Sequence, residues 1–562
     1  MANCSYCYQY ERLKAITQTL EGQKVVEDFK RVYNEKFANQ PIPTYNYSYI
    51  KLYYQTGDRN QHQALYFNRR SRLTLLQVLA LADDAYLDDL ENILAAICDE
   101  FTWVLPAHSL DKTTNTYNYE HIDLLAAETG LYLSETAYVF GDKLSADIRK
   151  RISLALQRHI VDIYESKSFA WEQRGNNWTA VCAGAVGATY LYAFPQRFDG
   201  VKQRIVSSMN SYLNGFDDEG YSSEGIAYWL YGFGFFSIFF DIYNGLKGEK
   251  HPLSNSEKVK KVLQYFHNAK MDENVFLPFA DGGRTDFETN PFYFYTMKNL
   301  FQDDFDLPTL SMAKPEEKAF GFRLLNGVHA YGVPMPKPNQ TGTAYYQNSQ
   351  VFIHKNARYS FAAKGGHNQE FHNHNDVGSF QIVKDGKRLL VDLGPGEYTY
   401  GYFNIPDDSF EGRYGDKIFV CGSKSHGVPI VNGCAQAYGK AYYGEVLEQS
   451  DTRFTVQLKN AYPTKMQSLI VSYAMEKESV RAKYRYEGVN QIVFRFVSTI
   501  LPRLQDGNVV IDVLTIVNHN RLQPVVNRVD YSGSRGVPSH AYTIDYTVED
   551  LQDMQTEFSF IL

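Results

Sequence analysis

The hydrophobic period of this chain changes once. Up to about residue 320 apolar side chains recur at helical spacing. Past the Pro-rich stretch Gly332-Val-Pro-Met-Pro-Lys-Pro-Asn339 they alternate with a period of two. A helix buries a stripe and a strand buries one face, so the two parts must close their cores differently. In the first part, residues 75–82, 121–127, 152–163, 179–192 and 226–243 read as helices separated by short breaks. Such segments return every roughly 30–40 residues without a close sequence repeat, which predicts an (α/α) toroid or solenoid. In the second part, residues 350–354, 379–383, 388–392, 453–458, 493–497 and 509–514 read as strands. Asp385-Gly386 turns a hairpin between two of them. The expected fold class is α+β and multidomain: an (α/α) toroid over residues 1–335, then an antiparallel β-sandwich over 336–562.

Composition narrows the function. A chain of 562 residues with 44% hydrophobic and 21% charged residues is a folded globular protein with room for large cores. A net charge of -8 and the lack of a Lys/Arg stripe argue against nucleic acid. The 44 Tyr stand out beside 4 Trp. A phenol ring offers a flat apolar face and a hydroxyl, which suits a groove for sugar rings and equally suits helix and sheet packing. Six cysteines are too sparse for a disulfide framework, and Cys4 and Cys7, a lone CxxC, read as ordinary thiols. No signal peptide is legible at the start and no apolar run reaches membrane-span length. The expectation is a cytoplasmic protein if the chain is complete, and a secreted or periplasmic one if a leader was removed, with no membrane partner.

Residues 367–376, His-Asn-Gln-Glu-Phe-His-Asn-His-Asn-Asp, gather three imidazoles, four carboxamides and two carboxylates, although the chain has only 14 His. On a strand the i, i+2 spacing of His372 and His374 points both rings to one face, as a metal site or an acid/base site needs. Asp392 follows on what reads as the second strand of one hairpin, and His426 stands in Ser425-His426-Gly427. Two imidazoles and a carboxylate match what zinc prefers, while Asp392 could equally cap the turn before Gly394-Pro395-Gly396. Asn176 and Asn177 precede a helix of small residues, where they serve either as an N-cap or as a cradle for a carboxylate. Tyr228 and Tyr231 share a helix face, where they either pack or present a phenol to a cleft. Asp217, Glu219, Glu224 and Asp281 supply carboxylates of the kind a glycosidase uses.

Together these segments resemble the heparinase II/III-like polysaccharide lyases, which include related alginate lyases. The resemblance rests on Trp103-Val-Leu-Pro106-Ala-His108 with His121-Ile-Asp123-Leu124, on Asn176-Asn177-Trp178, and on Glu224-Gly225 through Tyr231. It continues through Leu277-Pro278, Asp281-Gly282, His372-Asn-His374-Asn-Asp376-Val-Gly378-Ser-Phe380, Val391-Asp392-Leu-Gly394 and Ser425-His426, in that order. It implies a toroid followed by a β-sandwich and β-elimination of uronic-acid polysaccharides. It also implies catalytic roles for Asn177, Tyr231 and His372, with Tyr414 a further phenol. Asn176, Trp178, Glu224, Tyr228 and His108 would line the substrate. Zinc, structural in character, would sit on His374, Asp392 and His426. The expected partner is an acidic polysaccharide or oligosaccharide; the oligomeric state is left open, with a homodimer as one option. Trp178 stands where some alginate-acting relatives carry His, and few basic clusters are visible. The first argues against alginate and the second for less sulfated substrates, so the leading expectation is a glycosaminoglycan (hyaluronan, chondroitin or heparin/heparan type), with alginate or another uronan oligosaccharide as the alternative. A glycoside hydrolase and a non-catalytic binding scaffold are the readings from other classes.

Overall fold

Helices fill the first part and antiparallel strands the second. In this computed structural model the described residues are all but 1–8, 112–113, 273–274, 283–290, 303–320, 329–339, 400–401, 403–417 and 550–553. The CxxC and Tyr414 lie outside them. Residues 1–215, 229–259 and 288–336 form one compact unit, and residues 216–228, 260–287 and 337–562 form the other. A single cut at 335/336 therefore assigns two inserted segments differently. The reason is hydrogen bonding that periodicity cannot reveal. The Lys355 ammonium donates to the carbonyls of His267, Asn268 and Lys270, and Ser349 Oγ donates to Asp217.

In the helical unit Leu124–Phe140 and Asn177–Ala193 are buried along nearly their whole length, whereas Leu20–Lys36 and Phe198–Asn214 bury one stripe and keep polar residues on the rest. Asn60–Ala82 buries Leu73, Leu75, Leu76, Val78, Leu79 and Leu81. Asn177–Ala193 buries Ala, Gly, Val and Cys side chains along almost its whole length. Its glycines allow that depth: a Cβ at Gly184 would lie 2.8 Å from the Phe235 carbonyl oxygen. Leu124–Phe140 starts at Asp123, whose side chain accepts from Ala126 N at 2.7 Å and caps the helix. The last short helix, Gly321–Asn326, packs against Asn60–Ala82 and Tyr10–Thr17.

The expectation that no apolar run is long enough to cross a membrane fails for Ile226–Lys247. This helix is long and apolar enough by length and composition, and most of it is buried within the structure. That burial accounts for its Phe-rich sequence.

In the other unit, three sheets contribute to one core. A five-stranded sheet runs, in spatial order, Lys387–Leu390, Phe380–Lys384, Ser360–Lys364, Val351–Lys355, Gly342–Tyr346. An eight-stranded sheet contains Arg453–Gln457, Ser468–Met475, Ser479–Glu487 and Gln555–Ile561, and a four-stranded sheet contains Ile492–Ser498 and Pro538–Val548. Phe352, Phe361, Phe380, Phe454, Phe494 and Phe558 meet in that core. Ser468–Met475 alternates buried and half-buried residues along its length, as one-sided burial requires. The predicted hairpin forms, with both Asp385 (φ 50°) and Gly386 (φ 71°) in the left-handed region that a tight two-residue turn needs. One expected strand is two: residues 509–514 divide into Asn508–Ile511 and a strand starting at Leu514, because Asp512 (φ 52°) turns the chain between them.

Candidate functional site

Each unit carries part of the predicted set. In the helical unit, Asn176 occupies the position before Asn177–Ala193, yet its side chain makes no capping bond and its Oδ1 is buried without a hydrogen-bond partner. Asn177 is the first residue of that helix and is buried. Trp178 meets His108 edge-on, with ring centres 4.9 Å apart, and the Arg174 guanidinium lies 6.0 Å from the indole. His108 is oriented by Asp123: its Nδ1 lies 2.7 Å from Oδ2 of the same carboxylate that caps the following helix.

Tyr231 donates its phenol to Glu128 Oε1, and Tyr132 donates to the other oxygen of that carboxylate. Burial, then the Glu128 charge, push the Tyr231 phenol well above its ordinary range. Such a phenol keeps its proton at neutral pH. Tyr132 and Tyr293, also buried, are raised for the same two reasons.

In the sheet unit, the two histidines do not stand on a strand. His372 lies in a turn with φ 54°, and the strand begins only at Phe380. The left-handed residue breaks the extended backbone, so the period-two argument does not apply there. The rings converge on one carboxylate instead. Asp281 Oδ2 lies 2.9 Å from His372 Nδ1, and Asp281 Oδ1 lies 3.0 Å from His374 Nε2. Tyr398 donates to Asp281 Oδ2 at 2.8 Å and Tyr402 to Oδ1 at 2.6 Å. Burial by itself would raise the Asp281 carboxyl, but hydrogen bonds and charge from His372 and His374 outweigh it and hold it well below the usual carboxylate range. Tyr228 stacks on the His372 ring at 4.1 Å with 16° between the planes, and its hydroxyl lies 2.6 Å from that of Tyr398. Glu224, buried, places Oε1 3.5 Å from His372 Nε2.

His374, Asp392 and His426 are brought together, their ligand atoms within 4.8 Å of one another and all three buried. His374 and Asp392 nevertheless lie outside the two hairpin strands, since Phe380–Lys384 starts six residues after His374 and Lys387–Leu390 ends two before Asp392. Nδ1 of His374, Oδ2 of Asp392 and Nδ1 of His426 are buried and lack a hydrogen-bond partner. The opposite nitrogens are engaged: His374 Nε2 with Asp281, and His426 Nε2 with the Val420 carbonyl at 3.1 Å. Metal-binding imidazoles show this pattern, one nitrogen fixed from behind and the other free for the cation. The residues fit a metal ion. A second group, Asp281, His374 and Cys421, is also compact. Its atoms already have partners, since Asp281 accepts from four side chains and Cys421 Sγ lies 3.1 Å from the Tyr402 hydroxyl. It forms an outer layer around the ligands.

No protein-family model matches the sequence, and no curated protein matches it. Solved structures do. A heparinase III aligns with TM-score 0.63 at 12% identity, covering 98% of this chain and 84% of its own. The heparan sulfate lyase HepC from Pedobacter heparinus aligns with TM-score 0.55 at 12% identity, covering 97% and 84%. The chondroitin AC lyase of Streptomyces coelicolor A3, in complex with chondroitin sulphate, aligns with TM-score 0.58 at 11% identity, covering 98% and 82%. The chain has a heparinase- and chondroitinase-like fold. Its helical N-terminal part and its antiparallel C-terminal sheets both fall within that likeness.

Several members of the site escape local sequence reading. Glu128 announces itself only as a charge inside an apolar helix. Tyr398, Tyr402 and Cys421 lie in segments without a regular period. Asp281 is legible as a buried-site candidate, but its role as a shared acceptor depends on side chains 91 to 121 positions away.

Proposed function

We propose that this chain is a polysaccharide lyase that cleaves uronic-acid-containing glycosaminoglycans, or their oligosaccharides, by β-elimination. The fold likeness supports a lyase, and the proteins it resembles are named for heparin-type, heparan sulfate and chondroitin substrates. The observation that carries the reading is the His372 imidazole, mostly buried but with its side chain 19% exposed, stacked under Tyr228 with its Nδ1 on a buried carboxylate. An imidazole held in this way is an oriented base.

The chemistry assigns the remaining roles. The proton at C5 of a uronate is weakly acidic, and hydrogen bonds to the carboxylate stabilise the charge that builds on it. Asn177, with Asn176 beside it at the helix N-terminus, is suited to that task. His372 takes the C5 proton, and the electron pair forms the C4–C5 double bond. The C4–O bond breaks, and the leaving oxygen takes a proton from Tyr231, whose carboxylate partner keeps the phenol protonated. The products are a 4,5-unsaturated uronate end and a new hydroxyl. Trp178, His108, Glu224 and Tyr228 belong to the substrate surroundings in this reading. Tyr414 is a further candidate phenol.

The metal proposed for His374, Asp392 and His426 is zinc, because two imidazoles and a carboxylate match its preference. It would fix the segments that carry these residues. The helices as an (α/α) toroid and the sheets as a β-sandwich are part of the same reading.

The test is ultraviolet absorbance over time with hyaluronan, chondroitin sulfates, heparan sulfate, heparin and alginate. A rise with a glycosaminoglycan, lost in Tyr231→Phe and His372→Ala, is expected. A rise with alginate alone would reassign the substrate, and reducing ends without absorbance would replace the lyase by a hydrolase.

A further inference from the structure

The metal triad and His372 share one acceptor. The two oxygens of Asp281 divide their donors: Oδ2 takes His372 Nδ1 at 2.9 Å and the Tyr398 hydroxyl at 2.8 Å, while Oδ1 takes His374 Nε2 at 3.0 Å and the Tyr402 hydroxyl at 2.6 Å. The carboxylate is 2% exposed, so water does not compete for these bonds. Its backbone is tied to the same turn, since Asp281 N donates to the His372 carbonyl at 3.3 Å. The loop is held at its other end too: Ala280 adopts φ 60°, and Gly282 packs against Gly225, next to Glu224.

We infer that Asp281 is a positioning residue that fixes the tautomer of His372 and couples it to the occupancy of the metal triad. This rests on the lyase reading for its kinetic consequence only. A buried carboxylate on Nδ1 keeps the proton there and leaves the Nε2 lone pair for the substrate, the logic by which a buried Asp orients a catalytic His. Glu224 Oε1, 3.5 Å from Nε2, then stabilises the imidazolium once the C5 proton has been taken. On the other side, a cation on Nδ1 of His374 requires the proton on Nε2, where Asp281 Oδ1 receives it. One carboxylate thus reports metal occupancy to the base. The Tyr228 ring, stacked on His372 and hydrogen-bonded through its hydroxyl to Tyr398, closes the clamp.

The experiment uses the full chain loaded with zinc or cobalt(II). Nitrogen NMR of histidine-labelled zinc protein, with His372 assigned by comparison with His372→Gln, should show Nδ1 protonated and Nε2 bare. Stripping the metal should shift those His372 signals, and restoring zinc should return them. In Asp281→Asn the tautomer signature should be lost and the visible spectrum of the cobalt protein should shift. kcat should fall about 10³- to 10⁴-fold with KM little changed, the scale expected of a base left in the wrong tautomer. His372 with its proton on Nε2, or signals indifferent to metal removal, would overturn the inference even if Asp281→Asn fails to fold. A wild-type protein with both spectroscopic signatures and no lyase activity would support the Asp281 assignment and sink the functional reading instead.

Discussion

In the proposed reaction the negative partner of Tyr231 favours the acid's part over the base's. A phenol beside a cation is a candidate base, whereas one hydrogen-bonded to Glu128 holds its proton. Tyr231→Phe should lower kcat by roughly 10²- to 10⁴-fold, the range of a lost general acid, with folding retained because Tyr132 still satisfies Glu128. Glu128→Gln should act on the pH profile. Burial and, after it, the carboxylate charge raise the phenol, so removing that charge lowers it, and the alkaline loss of kcat should begin at lower pH than in the wild type. Tyr132 and Tyr293, which also face Glu128, should titrate downward with it. An alkaline limb unmoved in Glu128→Gln would assign that limb to another group. At this scale the sequence is most legible where chemistry is concentrated. His374, Asp392 and His426 stand out as a candidate set by residue type, with a turn cap left open for Asp392 until the resemblance is added, and the structure brings them together. Glu128 and Tyr398 could not be picked out, because one of two glutamates in an apolar helix or a tyrosine among 44 carries no local signal.

Among the elements, the loops around Asp281 are held by glycine. Gly225 has φ 87°, and a Cβ there would lie 2.5 Å from Gly282 Cα and 2.9 Å from the Phe279 carbonyl oxygen. Gly225→Ala should therefore separate the segments bearing Glu224 and Asp281, costing about 1–3 kcal/mol in denaturant unfolding and lowering kcat. A variant as stable as the wild type would show that the loops adjust. Removal of the proposed zinc would act on the same region, because Nδ1 of His374, Oδ2 of Asp392 and Nδ1 of His426 are buried without a hydrogen-bond partner. Chelation should lower the melting temperature, and zinc should restore it where magnesium does not. Helices and strands follow the periods of the sequence closely, since burial on one face or on all faces sets those periods. The departures occur where backbone conformation overrides the pattern: Asp512 divides one apolar run into two strands, and the left-handed His372 removes the extended backbone that the i, i+2 argument needs.

At the scale of the molecule, residues 216–228 and 260–287 belong with the sheets, although they precede the change of period in the sequence. These segments are helical or irregular in pattern, and what assigns them is hydrogen bonding to distant strands. They bring Glu224, Tyr228 and Asp281 to the unit that holds His372. That distribution bears on the choice between elimination and hydrolysis. Asp217, one carboxylate a hydrolase would need, is occupied by Tyr221 N and Ser349, and Asp281 accepts from four side chains. The most direct test of the central claim is the mass of the products formed from a cleaved glycosaminoglycan in water enriched in oxygen-18. Elimination predicts an unsaturated uronate at the new non-reducing end and no heavy oxygen at the scissile bond. Saturated products carrying oxygen-18 would contradict it.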